Sequence, residues 1–489
     1  MTSGVRFSSP LSVQDPLNGH LRQWIGHQRF MRNAKTRERN AAYLEGRHHE
    51  DSQKYAHLVT EETAFLSDVP SQILRNGAVR FYAGLQRFRA GLGGAPKIKR
   101  RHGRQSVLIT KELFRFLPMP VTGRSDREGW VIELGTKANP VGRLSFHAHR
   151  AWSLPNQIII SVEPSGRWFV SFSYEGEAIE VDRKGAARDL SAADHIRTAE
   201  ELLYEIQGLP DLEDRVWAGD RGVHTPLAGS DGKTWDFSDV HKARLARAES
   251  GKRKYQKRMA RAQKVKGADG KSRVSQGYLK LKRKAAKKAE YGRNVRQEFA
   301  HQTSHALVAS NAEVFAFEDL KIKNMTAAPA PKLDAEGRWA RNGSAAKAGL
   351  NAAILRSAWG SVQRFTTYKA KKRNKLVYKL PPAYSSQTCS RCGHRDAGNR
   401  KGQLFACLSC GHQADADVNA ARVLKLWTIE KVRSGDLPAE EQRRKKRVAF
   451  ARKRTRALEK EHLEVTSDQE RTGHLEAGAS NGSAFHAVA

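Results

Sequence analysis

The chain has 489 residues, enough for about two to four domains, and its 39% hydrophobic content is sufficient for packed cores. Its 87 Lys and Arg stand against 51 Asp and Glu, a net charge of +36. A surface that cationic repels itself unless a polyanion offsets it, which points to nucleic acid before anionic membrane. No apolar run reaches the roughly 18 residues of a membrane span, and MTSGVRFSSPLSVQD does not read as a secretion signal, so a cytoplasmic protein is expected.

Residues 20–90 carry apolar side chains at three- and four-residue spacing, in LRQWIGHQRFMRNAKTRERNAAYL and again in VPSQILRNGAVRFYAGLQRF, which predicts helices. GLGGAP at 91–96 ends the second one, and a basic run, KIKRRHGR, follows at 97–104. From about 105 to 180 the short runs SVLIT, GWVIEL, QIIISV and RWFVSFSYE predict a small β-barrel or curled sheet, the last two joined by a turn at EPSG. An acidic stretch, SAADHIRTAEELLYEIQGLPDLEDR, then leads into VWAGDRGV at 216–223.

Residues 241–300 are the most basic part, with 21 Lys and Arg against 4 Asp and Glu, close to half of the net charge. Their spacing predicts a helical hairpin. A charge run is commonly a solvated face, but with so few compensating acids a helical pair that tracks phosphates is the stronger reading. AEVFAFEDL at 312–320 reads as an apolar strand ending in two acids. After the loop TAAPAPKLDAEGR, AGLNAAILRSAWGSVQRFTTYKAKK predicts one amphipathic helix and KLVYKL a strand. Beyond about 436 a charged helix is expected, EEQRRKKRVAFARKRTRALEKEHLE, before an end whose composition is that of disorder.

All four cysteines fall in one pattern: Cys389-x2-Cys392, fourteen residues, then Cys407-x2-Cys410, each pair followed by Gly-His. Two intervening residues let both sulfurs reach one ion from a tight turn, and the glycine permits the left-handed backbone this needs. Four thiolates suit one tetrahedral Zn²⁺ and leave no open position, so the site is structural. A pair of disulfides is the alternative, disfavoured without a secretion signal. His394 and His412 read as bystanders to a complete thiolate set.

Three acids close predicted elements: Asp220 after VWAG, Glu318 after VFAF, and Asp417 in ADADVNAARVL where a helix begins. Singly each has a plain explanation, as a turn residue, a surface acid, or (Asp415 or Asp417) a helix N-cap. Together they fit a carboxylate cluster for two Mg²⁺ ions in phosphodiester hydrolysis.

In these motifs the sequence resembles the TnpB family of transposon-encoded RNA-guided nucleases and the compact type V CRISPR effectors, over nearly the whole chain. VWAGDRGV resembles the first RuvC motif, AFEDLKIKNM the second, and DADVNAA the third, in which the acid two before Asn-Ala-Ala is the catalytic one. The resemblance therefore implies catalytic, Mg²⁺-holding roles for Asp220, Glu318 and Asp417, the last in preference to Asp415. The ribbon, introduced by SSQTCSRCGH, interrupts the nuclease just before its third motif, as in that family. RQEFAHQTSHAL, GAPKIKRRHGRQSVLIT and PLSVQDPLNGHLRQWIGHQRFMRN are weaker echoes. Two positions depart from the first motif: Arg221 replaces the usual apolar residue after the first acid, and Ala218 the apolar Ile or Val before Gly219.

The implied fold is multidomain α/β: a wedge, oligonucleotide-binding-like β-barrel (1–18 and 93–210) carrying an inserted helical recognition lobe (19–92), then an RNase H-like RuvC nuclease domain (211–384, with the basic hairpin 241–300). A zinc ribbon for target nucleic acid (385–412), the RuvC C-terminal part (413–435) and a charged helix with tail (436–489) complete it. The implied activity is RNA-guided DNA endonuclease. A guide RNA pairs with one strand of unwound double-stranded DNA, the protein reads a short target-adjacent motif, and the three acids cleave with two Mg²⁺, Mn²⁺ being able to substitute. The guide source, a CRISPR array serving antiviral defence or a transposon end, stays open, and the expectation leans to a monomer in a prokaryotic cytoplasm. Rival readings are an RNA-guided binder with little cleavage, a protein-only RuvC-type nuclease or transposase-associated protein, and a non-enzymatic zinc-ribbon nucleic-acid-binding protein. Trp24, Trp130 and Trp168 could stack on bases, but core packing is the stronger expectation for each.

Overall fold

The computed structural model describes residues 3–12, 14–46, 53–101, 105–118, 129–148, 152–174, 197–262, 264–266, 272–439 and 441–442. These fall into two units, one from the residues up to 174 and one from those after 197. Most of the stretch expected as a charged helix and tail lies outside the described residues.

In the first unit, β1 (Ser3–Ser9) precedes α1 (Pro16–Leu44), which opens on an Asp15 cap accepting from the Leu17 amide at 2.9 Å, with Pro16 in the first turn. α1 crosses α2 (Ser71–Arg89) at Gly77, where a Cβ would lie 2.8 Å from the Gln28 carbonyl oxygen and 2.9 Å from Met31 Cβ. Six strands follow: β2 (Gln105–Thr110), β3 (Phe114–Pro118), β4 (Gly129–Gly135), β5 (Pro140–His147), β6 (Gln157–Val162) and β7 (Trp168–Tyr174). They make a four-stranded antiparallel sheet in the order β1-β7-β6-β2 and a three-stranded one, β3-β4-β5.

One core serves both sheets and both helices, with Leu21, Trp24 and Ile73 among Phe7, Ile109, Leu134, Phe146, Trp152 and Trp168. Trp24 and Trp168 are buried there and Trp130 packs against it, so packing takes all three. Buried Gln28 closes the exposed edge of β2: the Leu108 amide donates to its Oε1 (2.8 Å) and its Nε2 donates to the Leu108 carbonyl (2.9 Å). The basic run is pinned along α1, where Asn33 Nδ2 donates to the Lys99 carbonyl (2.9 Å) and the Lys99 amide to Asn33 Oδ1 (2.8 Å). Its residues 102–104 lie outside the described ones.

The second unit opens with α3 (Ala199–Gln207), α4 (Leu212–Arg215), β8 (Val216–Asp220), β9 (Leu227–Gly229) and β10 (Thr234–Trp235). The basic segment is a helical hairpin, α5 (Asp239–Arg261) and α6 (Gln276–Ala309), bridged by β11 (Lys264–Lys266) and β12 (Ser272–Val274). Then come β13 (Val314–Glu318), α7 (Ile322–Met325), β14 (Lys332–Leu333), β15 (Trp339–Ala340), α8 (Ser344–Arg356), α9 (Trp359–Lys372) and β16 (Leu376–Leu380). A small three-stranded sheet, β17 (Arg400–Lys401), β18 (Leu404–Ala406) and β19 (Gln413–Asp415), leads into α10 (Ala416–Arg433).

The central sheet runs β10-β9-β8-β13-β16, with β8, β13 and β16 parallel and β9 antiparallel to both its neighbours. β8 (VWAGD) and β13 (VFAFE) are buried at every residue, as parallel strands covered on both faces must be. The two-residue alternation divides them. Val216, Ala218, Val314 and Ala316 pack with α3 and α10, whereas Trp217, Phe315 and Phe317 pack with α6 and α9.

The single helix expected over 348–372 is two helices. Ile354 and Trp359 are both buried, and five residues apart they would lie about 140° apart on one continuous helix at roughly 100° per residue. The break at Ser357–Ala358 lets both reach the interior, with Ala358 in the left-handed region at φ 60°. That backbone costs an L side chain roughly 1–2 kcal/mol, against about 0.5–1 kcal/mol of extra unfolded-state entropy for glycine. Ala358→Gly is therefore expected to stabilise the protein by ~0.5–1 kcal/mol, seen as a raised unfolding midpoint; an unchanged or lower midpoint would contradict this account.

Candidate active site

Adjacent parallel strands end side by side, so the last residues of β8 and β13, Asp220 and Glu318, meet. Both are 7% exposed, and each carboxyl acts on the other's titration. Burial, then the charges of Glu318 and Asp417, push Asp220 well above the usual carboxylate range. Burial raises Glu318 as well, opposed by the Ser385 hydroxyl, which donates to Glu318 Oε1 at 3.0 Å, and by the Arg221 guanidinium.

Asp417 comes from a different element. Asp415 is the N-cap of α10, accepting from the Asp417 and Val418 amides at 3.0 Å each. This frees Asp417, one turn-position further in and 3% exposed, for the interior. Its Oδ1 accepts from Arg400 Nη2 at 2.9 Å. Gly222 makes room for it, since a Cβ there would lie 3.1 Å from Asp417 Oδ2 and 2.8 Å from the Thr225 carbonyl oxygen. The Trp359 indole fixes the same turn by donating to the Gly222 carbonyl at 2.9 Å.

Three buried carboxyls whose charges act on one another are costly without a cation, and hard oxygen donors fit Mg²⁺. Among the described residues only the cysteines bring all their ligand atoms within 4.8 Å of one another; the acids do not, and Asp417 is engaged by Arg400 instead. Arg221 was noted in the sequence only as a departure. It is 4% exposed, and burial pulls it down to about 10 while Glu318, Asp220 and Asp319 hold it up. Ser385 and Arg400 were not singled out at all, because neither lies in a periodic element and each meets the acids only through the fold.

The cysteines form the second centre. Cys389 Sγ lies 3.7 Å from Cys410 Sγ and Cys392 Sγ 3.6 Å from Cys407 Sγ, matching the ~3.8 Å edge of a tetrahedron with Zn–S of about 2.3 Å. The two knuckles repeat one geometry. The Cys389 and Cys407 amides donate to the His394 and His412 carbonyls, both at 2.9 Å, and Gly393 and Gly411 are left-handed at φ 75° and 69°. The amides of Cys410 and Ser409 pull the Cys407 thiol down to about 6, while the neighbouring thiols hold its partner Cys392 up at about 12 against the His394 amide, as expected where one proton is divided unequally between two sulfurs. Asn419 of α10 bolts the ribbon to the helix, its Nδ2 donating to the Thr388 carbonyl (2.8 Å) and its Oδ1 accepting from the Ser390 amide (3.1 Å).

Residues 359–424, from α9 through the ribbon to Asp417 and beyond, match the family described as Cas12f1-like, TNB domain. The chain is 27% identical over 408 residues to InsQ of Escherichia coli (strain K12), provisionally named an RNA-guided DNA endonuclease, covering 82% of this chain and 87% of InsQ. Over 72 residues it is 46% identical to the CRISPR-associated endodeoxyribonuclease Cas12f1 of Sulfoacidibacillus thermotolerans, covering 14% of this chain and 17% of that one. Among solved structures, the mini-RNA-guided endonuclease CRISPR-Cas_phi3 aligns with a TM-score of 0.42 at 12% identity, over 88% of this chain and 92% of the other. The resemblance read from the motifs is borne out by the family match and by the likeness to InsQ and Cas12f1 in sequence.

The ribbon geometry predicts about one zinc per chain by elemental analysis of the purified protein. Cys407→Ser is expected to lose that zinc and to lower the thermal midpoint by several degrees; a zinc-free wild type melting at the same temperature as the variant would rule the centre out.

Proposed function

We propose that this chain is an RNA-guided DNA endonuclease with a RuvC-type site at Asp220, Glu318 and Asp417. The observation that carries the reading is the convergence of three buried acids from β8, β13 and α10 beside the ribbon that matches a Cas12f1-like domain. The strand order, three antiparallel strands followed by two more parallel to the central one, is that expected of an RNase H-like nuclease and supports the same reading. The relatives named for RNA-guided DNA cleavage support the guide and the DNA substrate.

Each side chain has a separable task. Asp220 and Glu318 are fixed by strand ends and supply the closest pair of carboxylates. Ser385 holds Glu318 in one orientation and favours its ionised form. Asp417 contributes the third carboxylate from a helix start whose own amides are satisfied by Asp415. Arg400 balances Asp417 and is the one cation of the ribbon seen at this acid among the described residues. Two Mg²⁺ ions bound here would supply a more acidic attacking water and stabilise charge on the leaving oxygen. The α5/α6 hairpin, with few carboxylates along it, offers the cationic surface for the guide or the RNA–DNA hybrid.

Purification of the full chain with its native flanking DNA, followed by sequencing of the bound RNA, tests the guided reading: one discrete RNA with a constant scaffold supports it, and absent or heterogeneous RNA refutes it. Asp220→Ala, Glu318→Ala and Asp417→Ala are each expected to lower cleavage by at least roughly a hundred- to a thousandfold while leaving RNA binding intact. A variant that still cuts in Mg²⁺ would remove its residue from the site.

The raised carboxyls also set a pH dependence. Asp220 and Glu318 bind protons more tightly folded than unfolded, so the cation-free protein loses stability as pH rises from the ordinary carboxylate pKa through their raised values. A divalent cation must expel the same protons. The Mg²⁺ concentration giving half-maximal cleavage should therefore fall as pH rises toward neutrality, and a flat profile would contradict the cation-site reading.

A further inference from the structure

Arg221 directly follows Asp220 and is enclosed where β8, β13 and α9 meet. Its Nη2 donates to the main-chain oxygen of Glu318 and its Nη1 to Gln363 Oε1 on α9 at 3.0 Å. The guanidinium carbon lies 5.9 Å from the Phe317 ring centroid, and its Nε is buried with no hydrogen-bond partner. A guanidinium is an expensive group to bury, and this one leaves a donor unused. Hydrogen bonding alone does not account for it. The charged groups around it are Asp220, Glu318 and Asp319, all acids.

We infer that Arg221 is a positioning residue: a fixed countercharge that partly balances Asp220 and Glu318 before any cation binds, while its fork ties the end of β13 to α9. The inference rests on reading Asp220, Glu318 and Asp417 as a divalent-cation site. It has a consequence that a purely structural arginine lacks. A resident positive charge competes with incoming cations, so removing it loosens the cation-free protein yet tightens cation binding.

The test compares full-length wild type, Arg221→Met and Arg221→Lys by thermal midpoint across Mg²⁺ and Mn²⁺ titrations, with Mn²⁺ binding measured by calorimetry. Without divalent cation, Arg221→Met should melt below wild type. On adding Mn²⁺ it should gain a larger rise in midpoint, with half-saturation shifted roughly three- to tenfold lower. Arg221→Lys keeps the charge and loses the fork, so it should melt lower than wild type but keep the wild-type cation response. If Arg221→Met is destabilised equally with and without cation and binds Mn²⁺ as wild type does, the countercharge role is overturned. Should Arg221→Met not fold, Arg221→Gln, polar but uncharged, carries the same comparison. A wild type with no cation response, or one whose response survives Asp220→Ala with Glu318→Ala, refutes the underlying site instead; that outcome is read in proteins that retain Arg221 and is thereby distinguished.

Discussion

The parallel pairing of β8 with β13 is the constraint on which the site depends. Both strands are buried along their whole length, so neither can slip by one residue without exchanging the set that packs on α3 and α10 for the set that packs on α6 and α9. Trp217 and Phe317 are too large for the face that Ala218 and Ala316 occupy. With that register locked, Asp220 and Glu318 end abreast, and two carboxyls that would avoid each other in water are buried side by side. Gly219 belongs to the same lock, since a Cβ there would lie 2.5 Å from Trp217 Cη2 and 2.8 Å from Leu227 Cδ1.

The ribbon is joined to this pair more closely than an inserted structural module needs to be. Its last strand, β19, ends at Asp415, which pairs with Leu404 on β18 and also caps α10. Asn419 ties the helix back to the first knuckle. Ser385, four residues before Cys389, reaches Glu318, while Arg400, between the knuckles, reaches Asp417. A knuckle therefore runs straight into an Asp-x-Asp step for a mechanical reason: the first acid terminates the ribbon and starts the helix, and the second is aimed into the site by that junction. Because Ser385 and Arg400 flank the cysteines, a disturbance of the four-cysteine cluster would reach both contacts at once.

What the sequence revealed divides by range. Elements with a strong local period were legible: α1 and α2, the hairpin α5 and α6, the buried strands β8 and β13, and the cysteine spacing with its left-handed glycines. β1 entered the reading only through the resemblance, within 1–18 of the barrel, and not from its own pattern, because SGVRFSS holds only Val5 and Phe7 as alternating apolar residues and its pairing partner, β7, lies more than 150 residues away. β5 begins with Pro140 and carries Gly142, which mask its alternation. The break between α8 and α9 is dictated by where Ile354 and Trp359 must go, which only the assembled core decides. At the site, the acids were legible from their motif contexts, but their partners were not. Ser385, Arg400 and Trp359 each act across a long sequence separation, and no local pattern encodes such contacts.

The distribution of charge follows from the same arrangement. The chain is strongly cationic, yet its acid cluster is sunk where solvent screens it poorly, and two arginines answer it. Arg221 is enclosed beneath the strand ends and can leave only if the fold opens. Arg400 is borne by the ribbon, is partly exposed, and donates to Asp417 from Nη2 and to the Gly402 carbonyl from Nε. The carboxylates would repel a polyanion drawn to the basic hairpin, and a cation held among them would lower that repulsion. Arg221 is built into the sheet and buried, whereas Arg400 stands on the ribbon and is partly exposed, so the two countercharges differ in their access to solvent.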